Sequence, residues 1–178
     1  MSSKNAESMM IKPVGIVKSS ILAPSLKGDD KNISATEKKE EMKKQHKKIK
    51  DGISEIIIDD KFNGILDGIE DFSHILVLYW PHMLPETSRS IVKVNPMGRK
   101  DLPEKGVFAT CSPARPNPIL VTAVPLLSRK DNVLKVQGFE AVNESPVIDI
   151  KPYILHYYGP ENVTIADWMR KITEEMDE

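Results

Sequence analysis

The stretch Ile75 to Trp80, ILVLYW, is the longest apolar run in the chain, and its length limits what the chain can become. A helix needs about 20 apolar residues to cross a bilayer, whereas this run is one strand long. With His74 it predicts a central strand, His74 to Trp80, buried on both faces. Other short strands are predicted around it. Lys12 to Ser19 and Ser54 to Asp59 come before; Ile91 to Val94, Gly106 to Ala109, Ile119 to Leu127, Val133 to Phe139 and Val147 to Ile150 follow. Proline, glycine, asparagine and aspartate separate them, and no helical segments alternate with them. Short strands at this spacing predict a barrel or a sandwich.

Two segments carry helical signals. Ser34-Ala35-Thr36-Glu37 has the spacing of a capping box, and a helix is predicted from there to Lys50, with Gly52 as its C-terminal stop. Glu40 and Lys44 are four apart as a favourable surface pair, and Met42 and Ile49 are the apolar anchors. From Lys38 to Lys50 there are seven lysines and two glutamates, so this face is either a solvated surface or a contact for phosphates. Near the end, Thr164 and Asp167 form a cap-like pair, and Ile165, Trp168, Met169 and Ile172 share one face. They predict an amphipathic helix that packs on the domain or mediates dimerisation.

At 178 residues a single domain is the default, and 40% hydrophobic with 29% charged residues is the composition of a folding chain, not a disordered one. A formal net charge of -1 gives no whole-molecule attraction for nucleic acid, so any RNA contact must come from a local patch. The single cysteine, Cys111, excludes an internal disulfide and a zinc site of several thiolates, and no metal is expected. The first residues, MSSKNAESMMIK, lack the apolar core of a signal peptide; a cytoplasmic protein with no membrane association is expected.

There is no glycine-rich phosphate loop, metal-spaced histidine pair or nucleophile elbow. What stands out is Ser112-Pro113-Ala114-Arg115-Pro116-Asn117-Pro118, where three prolines in six residues fix φ and remove backbone donors. Either Arg115 and Asn117 present a cation and an amide to a ligand on a rigid frame, or this is a stiff loop whose polar groups satisfy only their own turn. His74, inside the apolar run, is read as a core histidine. His82, beside Pro81 at a strand end, is the better site candidate. Asp149 and Lys151 alternate with Ile148 and Ile150, so they share a face as a structural pair or as part of a site.

FSHILVLYWPH (72–82), GVFATCSPARPNPI (106–119) and PVIDIKPYI (146–154) resemble, in order, the three hallmark stretches of the TrmO, or TsaA-like, family. That resemblance covers most of Lys12 to Tyr153. It implies a mainly β fold, a small antiparallel β-barrel over residues 12–155, with the lysine-rich helix, an N-terminal tail over 1–11 and a C-terminal amphipathic helical extension over 156–178. It also implies a homodimer that uses S-adenosyl-L-methionine to methylate N6 of threonylcarbamoyladenosine beside the tRNA anticodon.

The implied cofactor residues are Lys43, Lys44, Gln45, His82, Met83, Cys111, Asn117, Val121, Glu140, Ala141, Val142 and Asn143. Arg115, Asp149 and Tyr153 are the expected catalytic residues: the urea nitrogen is a poor nucleophile, so a polar group near His82, Asp149 or Tyr153 is expected to assist its deprotonation, with Arg115 and the basic helix holding the RNA phosphates. The chain departs from the family where an arginine is usual and Cys111 stands, and at Lys43-Lys44, Leu120-Val121 and Asn143 to Ser145. Losing a fixed planar cation alters anion binding unless Lys43 or Lys44 supplies the charge. Cys111 is read as a small residue at a buried edge, since methyl transfer needs no covalent enzyme intermediate. Two other readings keep the cofactor: a different methyl acceptor, or a non-catalytic dimeric module that binds it.

Overall fold

Alternation along the strands builds the core. In β2 (Ile53–Ile58) and β3 (His74–Tyr79), Ile56 and Ile58, and Ile75, Val77 and Tyr79, face one side and are all 3% exposed or less. They cluster with Val17 of β1 (Gly15–Lys18), Val124 of β6 (Leu120–Lys130), Leu134 and Val136 of β7 (Val133–Gln137) and Val147 of β8 (Pro146–Pro152). A separate two-stranded ribbon joins β4 (Lys93–Val94) to β5 (Lys105–Gly106). This computed structural model describes residues 9–24 and 35–177.

All pairings are antiparallel, and the order β1-β2-β7-β6-β3-β8 closes on itself. The chain is therefore a barrel and not a sandwich, with no open edge left in that sheet. Closure depends on β1, which pairs β2 on one side and β8 on the other. Strand β1 is shorter than the predicted Lys12 to Ser19; Gly15 and Val17 are buried, while Val14 and Ile16 are half-buried. Sterics explain the glycine: a Cβ on Gly15 would lie 2.2 Å from the Ile57 carbonyl oxygen.

Three expectations are corrected. Strand β3 is buried on one face and half-buried on the other, because only its odd-numbered residues enter the barrel. His74 is accordingly exposed, with Nδ1 3.0 Å from Ser73 Oγ, and is not a core histidine. Gly106 to Ala109 is not a strand: β5 ends at Gly106 and a single 3-10 turn, Val107–Ala109, follows.

Helix α1 (Ala35–Asp51) lies where the lysine-rich helix was expected. The Ser34 cap and the Met42 side chain lie outside the described residues. Gly52 follows the helix without a left-handed φ, so it is not the expected stop of that kind. After a short α2 (Leu155–Tyr158), α3 (Asp167–Asp177) is the C-terminal helix. Of its predicted apolar face only Ile172 is fully buried, while Met169 and the preceding Ile165 stay largely exposed. An ion pair fixes α3 instead: Arg99, from the loop after β4, holds both Asp101 and Glu175.

Candidate functional site

Because the sheet is antiparallel, the end of β3 and the starts of β6 and β8 come to the same end of the barrel. There the segments 79–84, 111–121 and 140–145, with Pro24, surround a cavity of about 410 Å³. That volume lies within the range of about 300–1,000 Å³ typical of small-molecule sites. Its walls are mostly apolar, from Met83, Leu84, Ile119, Leu120, Val121 and Val142. Polar or chargeable side chains break them: Tyr79, His82, Cys111, Arg115, Glu140 and Ser145.

Glu140 follows β7 and is held by two strands. Tyr79 Oη donates to its Oε1 at 2.9 Å, and Thr122 Oγ1 donates to the same oxygen. Tyr79 sits on the inward face of β3 with its ring edge-on to Phe139, centroids 5.0 Å apart. Burial, and then the Glu140 charge, hold its phenol well above the ordinary value, so it is a permanent donor here. Across the cavity, the exposed ring of His82 brings Nδ1 to 3.4 Å from Oγ of Ser145, which is buried.

Arg115 works on its own loop. Nε donates to the Ser112 carbonyl at 2.7 Å, and Nη2 donates to the carbonyls of Thr110 at 2.5 Å and Val107 at 3.4 Å. Prolines have removed donors from this segment, and the guanidinium supplies them. Its acceptors are neutral carbonyls, so the positive charge is carried to the cavity wall. The two readings of the proline loop therefore combine, since the arginine that satisfies the turn also lines the cavity.

Of the sequence-derived site residues, His82, Met83, Cys111, Arg115, Val121, Glu140 and Val142 meet in this cavity. Cys111 is an exposed thiol at its rim, not a buried-edge residue. Ala141 and Asn143 build the wall from behind. Ser19 Oγ donates to the Ala141 carbonyl at 2.8 Å, and Asn143 Oδ1 accepts from the Ser19 backbone N–H at 3.1 Å. Gln45 lines a smaller neighbouring cavity of about 170 Å³, between α1, residues 20–23 and Phe139. Lys43, Lys44 and Asn117 line neither cavity.

Asp149 and Tyr153 also lie outside the cavity lining. A register shift between Leu78 and Tyr79 places Asp149 opposite outward-facing Leu78, where it pairs with Lys151 at 2.6 Å. The Tyr153 ring packs on Tyr158, centroids 5.7 Å apart. Sequence reasoning missed Tyr79, Thr122 and Ser145. Parity was the available signal for Tyr79: two places beyond Val77, it shares the inward face and ends the strand at the mouth of the barrel.

A closed antiparallel barrel with a ligand-sized, mixed-charge cavity at one end defines a class of small β-barrel binding domains or enzymes. Residues 33–158 match the family described as the tRNA-methyltransferase O N-terminal domain, and the chain belongs to that family. An S-adenosyl-L-methionine-binding protein of Archaeoglobus fulgidus is 38% identical over 145 residues, 82% of this chain and 89% of that protein. A human tRNA (adenine(37)-N6)-methyltransferase is 39% identical over 98 residues, 55% of this chain but only 22% of that protein. A crystal structure of TrmO from Pseudomonas aeruginosa shares the fold, with a TM-score of 0.64 and 21% identity. It covers 93% of this chain, while this chain spans 63% of that one.

Proposed function

We propose that this protein binds S-adenosyl-L-methionine in the barrel-end cavity and transfers its methyl group to N6 of threonylcarbamoyladenosine beside the anticodon of a tRNA. The observation that carries the reading is a family member's cavity in which a cation, an anion and apolar walls face one space. This combination fits the cofactor: apolar walls suit an adenine and methylene groups, Arg115 suits a carboxylate, and Glu140 suits a positive charge. The cofactor supplies an electrophilic methyl group on a positively charged sulfur.

The protein's own part is to position, to exclude water and to handle one proton. Arg115 and the proline loop give the rigid wall, with Met83, Val121 and Val142 covering apolar surface. His82 is the cavity group placed to take the proton that leaves the acceptor nitrogen. Asp149, on the outer side of β8, and Tyr153, just after it, belong to the proposal as groups that meet the RNA. The lysine face of α1 supplies the phosphate contacts that a net charge of -1 leaves to a local patch. We place the protein in the cytoplasm with its tRNA; among the described residues no helix is long and apolar enough to cross a membrane. We read the active form as a homodimer, for which the exposed Val92 and Phe108 beside the β4–β5 ribbon offer apolar surface.

The test is incubation of the protein with methyl-labelled cofactor and tRNA carrying or lacking the threonylcarbamoyl group. Label in the modified tRNA alone is the expected result. Label in both tRNAs or in neither refutes the acceptor assignment, and binding without transfer to any RNA favours a non-catalytic module. Light scattering at assay concentrations checks the dimer.

A further inference from the structure

The cavity's one carboxylate is held in an unusual way. Tyr79, 61 residues away in sequence, and Thr122, 18 residues away, donate to the same oxygen of Glu140, Oε1. A carboxylate oxygen has two lone pairs, so these two donors fill it. The remaining acceptor capacity of this cavity-lining carboxylate is that of Oε2. The ligand side of the carboxyl group thus has a fixed orientation, although the residue itself is exposed.

The lining near Glu140 in sequence and on β6 narrows what the carboxylate is for. It is Leu120, Val121 and Val142, three apolar side chains, and the cavity's other polar groups, Tyr79, His82, Cys111, Arg115 and Ser145, come from other segments. An ammonium group needs about three acceptors, and a ribose diol needs donors as well as acceptors. A sulfonium is a cation without an N–H or O–H, and an apolar wall carrying a single oriented carboxylate suits it.

We infer that Glu140 is the group that recognises the positive sulfur of the cofactor, and that Tyr79 and Thr122 are positioning residues that set its carboxylate by clamping Oε1. The inference rests on the proposed placement of S-adenosyl-L-methionine in this cavity. Tyr79 is suited to this: its ring is anchored on Phe139, and its hydroxyl stays protonated throughout the working pH range. Recognition of this kind favours the cofactor before methyl transfer over the product after it, because transfer removes the charge from sulfur and leaves the rest of the molecule unchanged.

That difference supplies the test. Binding of S-adenosylmethionine and of S-adenosylhomocysteine, its neutral thioether product, is measured by calorimetry on the wild-type chain and on Glu140→Gln, Tyr79→Phe and Thr122→Val. Glu140→Gln keeps an acceptor for both donors and removes only the charge. Tyr79→Phe keeps the packing on Phe139, and Thr122→Val keeps the volume. The expected result for Glu140→Gln is a roughly tenfold loss of affinity for the sulfonium ligand, with the thioether changed less than about twofold. Each clamp variant is expected to lose about threefold for the sulfonium ligand alone, a hydrogen bond's worth of orientation. Equal losses for both ligands, as a structural, ribose or ammonium role would give, overturn the inference, and so does an unchanged ratio in the clamp variants. A wild-type chain that binds neither ligand overturns the cofactor placement itself, and a cavity-filling Val121→Trp chain that still binds both overturns the location.

Discussion

Replacing Gly15 with alanine tests whether barrel closure rests on one close backbone approach. The added Cβ would sit 2.2 Å from the Ile57 carbonyl oxygen and 2.9 Å from Ile58 Cα, whereas ordinary contact begins at 3.4 Å. One strand must move by about 1 Å, roughly the scale on which a ladder hydrogen bond is lost. Strand β2 cannot yield freely, because its other edge is paired with β7 over five residue pairs from Ile53 to Ile57. β1 is equally constrained, since its backbone also binds the site turn: Val17 N–H donates to Ser145 O at 3.0 Å, and Glu144 N–H donates to Val17 O at 2.8 Å. Overpacking of this kind costs about 1–3 kcal/mol, and a weakened ladder bond adds about 1 kcal/mol. A total of about 3 kcal/mol lowers Tm by about 6–12 °C for a chain of this size. Gly106→Ala is the matched control. It has nothing within 4 Å of the new Cβ and a φ of -57°, so it is expected to be neutral or slightly stabilising. Thermal unfolding followed by circular dichroism compares the two. If Gly15→Ala melts within about 2 °C of the control, the steric account of closure is wrong.

Three further outcomes are expected. Arg115→Ala removes the side-chain donor from the carbonyls of Thr110 and Ser112 as well as the cation, so limited proteolysis within 107–118 should accelerate and cofactor affinity, read by calorimetry, should fall about tenfold or more. Arg99→Ala should release α3 at a cost of about 1 kcal/mol, seen as faster hydrogen exchange over 167–177. The hydrogen bond from Arg99 holds the Asp101 carboxyl below its ordinary range. Its contribution is present above the unfolded value and is lost as pH falls through the folded one, so wild-type but not Arg99→Ala protein should lose α3 protection progressively on acidification. Tyr79 has the opposite sign. Its value is raised by burial and by Glu140, so its contribution is full below the ordinary phenol value of about 10 and declines as pH rises past it. Alkaline denaturation curves of wild type and Tyr79→Phe should therefore converge at high pH; parallel curves would contradict the buried, protonated phenol.

Much of the candidate site was legible in the sequence because its pieces are local. Pro81 to Met83 ends a strand, the proline-fixed loop carries Cys111 and Arg115, and Glu140 to Val142 follows a strand; each is a segment whose type can be read from neighbours. Resemblance grouped those segments, and the cavity lining shows them meeting. Position along a strand was harder to read than its existence. The run His74 to Trp80 looked buried on both faces because apolar side chains occur at every place. Only a closed barrel, with one face inside, separates Ile75, Val77 and Tyr79 from Leu76 and Leu78.

The sequence by itself determined most of the short strands, the absence of alternating helices, the rigid loop and the lysine-rich helix, since each follows from side-chain period, proline chemistry or charge within about a dozen residues. The tertiary structure decided what depends on distant residues meeting. It chose the barrel over a sandwich through the β1–β8 pairing. A register shift in the β3–β8 pair turned Asp149 to the outer side of β8 beside Lys151. It joined Tyr79, Thr122 and Glu140 into one carboxylate clamp. Hydrogen bonds across such separations depend on register, and register is a property of the closed sheet that no single strand contains.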